Sequence, residues 1–171
     1  EIEEVAAKSP AALVRVGLRD GGIETLRLSS SMDLTADDVS VAESVTWSNG
    51  SGEDVYGFYL APRNGGYAAP DGELPPLVVM SHGGPTAMTT PGLQPALQYW
   101  TTRGFAILHV NYGGSSGFGR AYRERLRGGW GVVDVEDCCS GATAMVERGL
   151  ADPARLASKG GSAGGYTTLA A

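Results

Sequence analysis

Lys159-Gly160-Gly161-Ser162-Ala163-Gly164-Gly165-Tyr166 is the stretch that decides how the rest of this chain is read. It sets one serine in a Gly-x-Ser-x-Gly frame. Ahead of it Arg155-Leu156-Ala157-Ser158 reads as a short strand, and behind it Tyr166-Thr167-Thr168-Leu169-Ala170-Ala171 reads as the start of a helix. Strand, turn, helix is the order a nucleophile elbow requires, because the chain swings so sharply that the positions flanking the serine have no room for side chains. Gly160 and Gly164 leave that room free, and the Ser162 hydroxyl is expected to stand exposed at the strand's tip. A helix starting near Ala163 would direct unpaired N–H groups and the positive end of its dipole at the spot where the oxyanion of an acyl transfer forms.

Working upstream, the chain alternates strands and helices from Leu77 onward. Leu77-Val78-Val79-Met80 is a continuous apolar run that suits a strand buried on both faces. The loop His82-Gly83-Gly84-Pro85 follows, then an expected helix over Gly92 to Arg103 and a second buried strand over Phe105 to Val110. A glycine-rich loop, Asn111 to Gly119, leads on to a helix from about Val133 to Glu147 that Gly149 stops. The alternation predicts an α/β fold with a mostly parallel sheet.

Further upstream the pattern is β. Leu13 to Leu18 and Ile23 to Leu28 alternate around Asp20-Gly21-Gly22, a strong hairpin signal. One hairpin cannot bury itself in water, so it is expected to belong to a sheet with further strands outside this sequence. The absence of an initial methionine agrees with a chain cut at that end. Residues 29–38 are polar and turn-rich and read as a linker, after which Val41 to Trp47 and Asp54 to Leu60 form a second hairpin. The expected division is 1–38 for the first unit and its linker, and 39–171 for the α/β unit.

Composition bounds the function. The 171 residues are 42% hydrophobic and 19% charged, ordinary for a globular protein, with a net charge of −6 and a pI near 4.8. That balance argues against nucleic-acid and anionic-membrane partners, and Arg120, Arg123, Arg125 and Arg127 read as a solvated face. No apolar run approaches a membrane span and Glu1-Ile2-Glu3-Glu4 is no signal peptide, so a cytoplasmic location is expected. Cys138 and Cys139 are adjacent and expected to be reduced. With His82 and His109 they show no metal-ligand spacing, so neither a metal nor another cofactor is expected.

An elbow of this kind draws its second oxyanion donor from the loop after an earlier strand, which assigns Gly84 N–H, beside Ala163 N–H, to the oxyanion hole. The remaining partners of a serine nucleophile should follow it, first an acid and then a histidine, but nine residues come after Ser162. Neither histidine qualifies as the base: His82 reads as a hydrogen-bonding anchor of its loop, and His109 lies in a buried strand. Asp134, Glu136 and Asp137 precede the serine and read as solvent-facing charges or partners of a helix N-terminus.

Four motifs in order carry a family resemblance: His-Gly-Gly-Pro at 82–85, Asn-Tyr-Gly-Gly-Ser-Ser-Gly-Phe-Gly at 111–119, Asp-Val-Glu-Asp-Cys at 134–138 and Gly-Gly-Ser-Ala-Gly-Gly-Tyr at 160–166. Together they resemble the prolyl oligopeptidase family of serine peptidases, nearest its acylaminoacyl-peptidase and dipeptidyl-aminopeptidase branch. The resemblance implies the N-terminal half of an α/β-hydrolase domain preceded by the last β-strands of a β-propeller. It implies cleavage of short peptides, with Ser162 as nucleophile, Gly84 and Ala163 as oxyanion donors, and Phe118 and Tyr166 at the substrate. Two positions depart from the family's pattern. Phe118 stands where members often carry a tyrosine that assists the oxyanion, and Gly113 stands where many carry an arginine, a possible charge anchor for the loop. A carboxylesterase-like hydrolase and a non-catalytic fragment are the alternatives.

Overall fold

The computed structural model describes residues 9–32 and 34–171, so the reading of Glu1 to Glu4 lies outside the described residues. The elements run β1 (Ala12–Val16), β2 (Ile23–Leu28), β3 (Glu43–Ser48), β4 (Asp54–Leu60), β5 (Leu77–Ser81), α1 (Pro95–Thr101), β6 (Ala106–Asn111), α2 (Gly119–Glu124), α3 (Val133–Glu147), β7 (Leu156–Gly160) and α4 (Ala163–Ala170). Both expected hairpins are present. β1 and β2 pair antiparallel as a separate two-stranded sheet, and β3 pairs antiparallel with β4. No helix among the described residues is long and apolar enough to cross a membrane.

The main sheet has the order β3-β4-β6-β5-β7. Its β6–β5 and β5–β7 pairings are parallel, but β4–β6 is antiparallel. The expectation of a mostly parallel sheet is therefore corrected to a mixed one. The second hairpin does not form a layer of its own: its strand β4 lies antiparallel along β6, and β3 becomes the edge of the sheet.

Burial follows the two-residue period of the strands. Leu77 and Val79 of β5, with Ala106, Leu108 and Val110 of β6, face one core with Trp47, Cys138 and Met145, under α3. Val78 and Met80, with Ile107, face the other core with Leu60 and Leu97, under α1. All five residues of β5 are buried, as the continuous apolar run predicts. The helix expected over 92–103 is shorter, because Pro95 sits at its first turn and the chain ahead of it has no helical hydrogen bonds to extend. The short helix α2, which starts at the last residue of the glycine-rich loop and lies ahead of the helix read at Val133, was not legible: a six-residue helix is too brief to show a hydrophobic period.

Candidate active site

β7 lies parallel to β5, with Gly160 opposite Ser81, and the chain turns there directly into α4. Ser162 takes φ 56° and ψ −123°, and it is the one non-glycine residue at positive φ among the described residues. An L-residue holds such a conformation only where its surroundings leave no alternative. Here the backbone itself provides the constraint. A Cβ on Gly160 would stand 2.2 Å from the Gly164 carbonyl oxygen, and one on Gly164 would stand 2.3 Å from the Ser81 carbonyl oxygen. The Ser81 hydroxyl donates to the Gly164 carbonyl oxygen at 2.9 Å, tying β5 to the first turn of α4. Ser162 is left exposed on the outside of this turn.

The His82–Pro85 loop passes alongside. A Cβ on Gly83 would lie 3.4 Å from Ser162 Cβ and 3.9 Å from its Oγ, so this loop walls the serine. His82 fixes the loop's shape. Its Nδ1–H donates to the Gly83 carbonyl oxygen at 2.8 Å, while Nε2 lies 2.7 Å from Ser115 Oγ. A carbonyl oxygen can only accept, so Nδ1 carries a proton, and burial lowers the pKa of the imidazole. The ring stacks on Tyr112 at 4.4 Å, and the Tyr112 hydroxyl reaches the His82 and Pro85 carbonyl oxygens at 3.0 and 2.8 Å. Because the peptide unit is planar and trans, holding the Gly83 carbonyl toward His82 turns the Gly84 N–H the other way. The Ala163 N–H is in the first turn of α4 and has no acceptor within the helix.

His82 is thus the loop anchor the sequence suggested. His109 sits on β6 with Nδ1 2.6 Å from Thr89 Oγ1, and burial, with His82 nearby, pushes its pKa down to about 4. Neither imidazole is bonded to Ser162.

Of the two readings of the acidic residues, the solvent-facing one is corrected for Asp134 and Asp137, which are fully buried, while Asp134 does partner the N-terminus of α3. Asp134, in the first turn of α3, accepts from Gly131 N–H at 2.6 Å and from the Thr167 hydroxyl of α4. It fastens α4, and with it the elbow, to the neighbouring helix. Asp137 accepts from Asn49 Nδ2 at 2.8 Å and Gly113 N–H at 2.6 Å, with Arg125 4.0 Å away. Desolvation raises its pKa, against those hydrogen bonds and the arginine. A second correction concerns Gly113. A Cβ there would stand 2.9 Å from Val133 and 3.1 Å from Arg125 Nε. The loop does keep a guanidinium, that of Arg125, which also pairs with Glu53 at 2.7 Å. Arg125 therefore leaves the solvated face to which the sequence reading assigned it.

Tyr166 is half exposed on α4, its ring 5.1 Å from that of Trp130. Phe118 stacks at 4.8 Å and 6° on Tyr56 and packs against Tyr122 at 5.1 Å. Sequence reasoning missed Ser81, Ser115, Tyr112 and Thr167. Each acts through contacts with residues distant in the chain, and no local pattern announces that.

A serine held at an exposed strand-to-helix elbow, beside a glycine loop on the neighbouring parallel strand, defines the α/β-hydrolase fold. Residues 91–171 match the Prolyl oligopeptidase family. The acylamino-acid-releasing enzyme of Arabidopsis thaliana is 36% identical over 98 residues, 57% of this chain and 13% of that protein. Dipeptidyl aminopeptidase BIII of Pseudoxanthomonas mexicana is 37% identical over 94 residues, 55% of this chain and 14% of that one. The structure of a Mycobacterium tuberculosis puromycin-hydrolyzing peptidase superposes with a TM-score of 0.90 at 49% identity, over 94% of this chain and 25% of that chain. Residues 91–171 thus resemble the prolyl oligopeptidase family, and the chain spans about a quarter or less of the relatives it matches.

Proposed function

We propose that Ser162 is the nucleophile of a serine peptidase acting on short peptides, within a protein longer than these 171 residues. The observation that carries this is the backbone of Ser162, held at φ 56° between two glycines that no side chain could replace. Ser162 Oγ attacks the substrate carbonyl carbon as a base takes its proton. The oxyanion is met by Gly84 N–H and Ala163 N–H, the amine leaves with a proton, and water then hydrolyses the acyl-serine. His82 and His109 are committed to Ser115 and Thr89, so the base and its acid partner belong to sequence outside this stretch. On that reading the 171 residues alone turn over no substrate. Residues 1–38 are assigned to the end of a propeller with its linker, and 39–171 to the catalytic domain. Both cysteines are free, which fits the reducing cytoplasm.

The test is labelling of the full-length protein with a phosphonylating serine-hydrolase reagent, followed by mass spectrometry. The adduct is expected on Ser162 alone. An adduct on Ser115 or Ser116 with Ser162 unmodified overturns the assignment.

A further inference from the structure

We propose that the groove beside the His82–Pro85 loop, walled by Arg120 and Arg123, is a subsite for a carboxylate of the peptide substrate. The inference rests on the peptidase reading above and adds a substrate class to it. Two hollows of about 530 and 290 Å³ meet there, sharing Arg123 and Glu124. The larger is floored by Ser116, Gly117 and Gly119 and flanked by Arg120. The smaller runs from Pro85 and Thr86 to Arg127 and Trp130.

The position of the groove follows from the site. Pro85 and Thr86 come directly after the glycines that wall Ser162. The Ser116 hydroxyl donates to the Thr86 carbonyl oxygen at 2.6 Å and its N–H to the Ala87 carbonyl oxygen at 2.9 Å, which locks the floor of one hollow to the wall of the other. At the far side Trp130 packs on Tyr166, one helical turn beyond Ser162. A peptide lying across the serine therefore has this groove within reach of its next residues.

The charges specify the occupant. Glu124 is occupied by Arg127, Nε to Oε2 at 2.6 Å. Arg120 and Arg123 form no ion pair among the described residues and are both exposed, three positions apart on α2 and so on one face of it. The groove thus holds a surplus of positive charge in a chain whose net charge is −6. Two guanidinium groups over a glycine floor present paired N–H donors with the planar geometry that matches a carboxylate. The carboxylate is either a free C-terminus or the side chain of an Asp or Glu residue near the scissile bond.

Full-length protein, as wild type and as Arg120→Gln/Arg123→Gln, is assayed on two peptide pairs. One pair differs only in a C-terminal carboxylate against a C-terminal amide, the other only in Glu against Gln beside the scissile bond. Binding of the same peptides is measured by calorimetry in a Ser162→Ala background, and Arg19→Gln/Arg27→Gln serves as a distant control of equal charge. The double variant is expected to lower the acid-over-neutral ratio, in kcat/KM and in affinity, by about tenfold for one pair, and added salt should do the same to the wild type. The pair that responds identifies the source of the carboxylate. An unchanged ratio for both pairs, or a change matched by the control, overturns the subsite. Turnover that survives Ser162→Ala overturns the peptidase reading instead, while the binding arm still reads the groove.

Discussion

His82 and Ser115, from loops after two adjacent parallel strands, meet at 2.7 Å between Nε2 and Oγ, and this bond joins the glycine loop beside Ser162 to the loop after β6. The chain of support continues inward. Ser115 Oγ also lies 2.7 Å from the Tyr112 carbonyl oxygen, and Asp137 holds the neighbouring Gly113 N–H. The Gly83–Gly84 peptide is thus linked through His82, Ser115 and the Tyr112–Gly113 peptide to the buried Asp137.

Replacing His82 by alanine releases the Gly83 carbonyl and lets the Gly84 N–H swing from its aim. The loss of one oriented oxyanion donor lowers kcat by about 10²- to 10³-fold. Ser115→Ala, which leaves the Nδ1 bond intact, costs less. The check is steady-state kinetics of both variants in the full-length protein beside their thermal midpoints. Equal kcat in wild type and His82→Ala would remove the loop's role in the oxyanion hole.

Ser162→Gly should abolish turnover and at the same time stabilise the protein. Positive φ costs a serine about 1 kcal/mol or more that glycine does not bear. A raised thermal midpoint together with loss of phosphonate labelling is the expected pair of results. A lowered midpoint would mean that the elbow holds Ser162 without strain.

Asp134→Ala removes the side-chain acceptor of the part-buried Gly131 N–H and of the buried Thr167 hydroxyl, which keeps the Ala163 carbonyl oxygen at 3.2 Å. A donor left unsatisfied costs about 1 to 3 kcal/mol, and the loss is expected in that range. Thr167→Val leaves the Gly131 bond to Asp134 intact and should cost less. Urea titrations of the two variants and their double mutant test the coupling, and strictly additive losses would show that the pair does not act as a unit.

The pH dependence should carry the signature of His109. Its pKa falls from an unfolded value near 6.5 to about 4 in the fold. Between those values the unfolded chain binds a proton that the folded chain excludes. The stability from the neutral imidazole is therefore complete above about pH 6.5 and declines as pH falls toward 4, by about 3 kcal/mol in all. In His109→Gln the thermal midpoint should fall less steeply over that window. Parallel curves for the two proteins would place the titration elsewhere.

What the sequence determined by itself was everything written in local periodicity or in a short motif. The apolar run at Leu77, the hairpins around Gly21 and Asn49, the helix over 133–147 and the Gly-x-Ser-x-Gly turn each depend on residues within a few positions of one another, so they are legible without the fold. The four motifs in order pointed, for the same reason, to the family whose pattern residues 91–171 match. Tertiary structure alone decided which groups are desolvated and what they meet. Asp134 and Asp137 carry helix-start charges indistinguishable in sequence from the exposed kind, and only the packing of α4 against α3, and of the Asn49 turn against α3, buries and pairs them. The mixed sheet, likewise, was settled by β4 finding β6, with some fifty residues between the paired positions. Pairing at that distance is fixed by which edges and faces remain to be covered once the local elements form, and no local pattern encodes that.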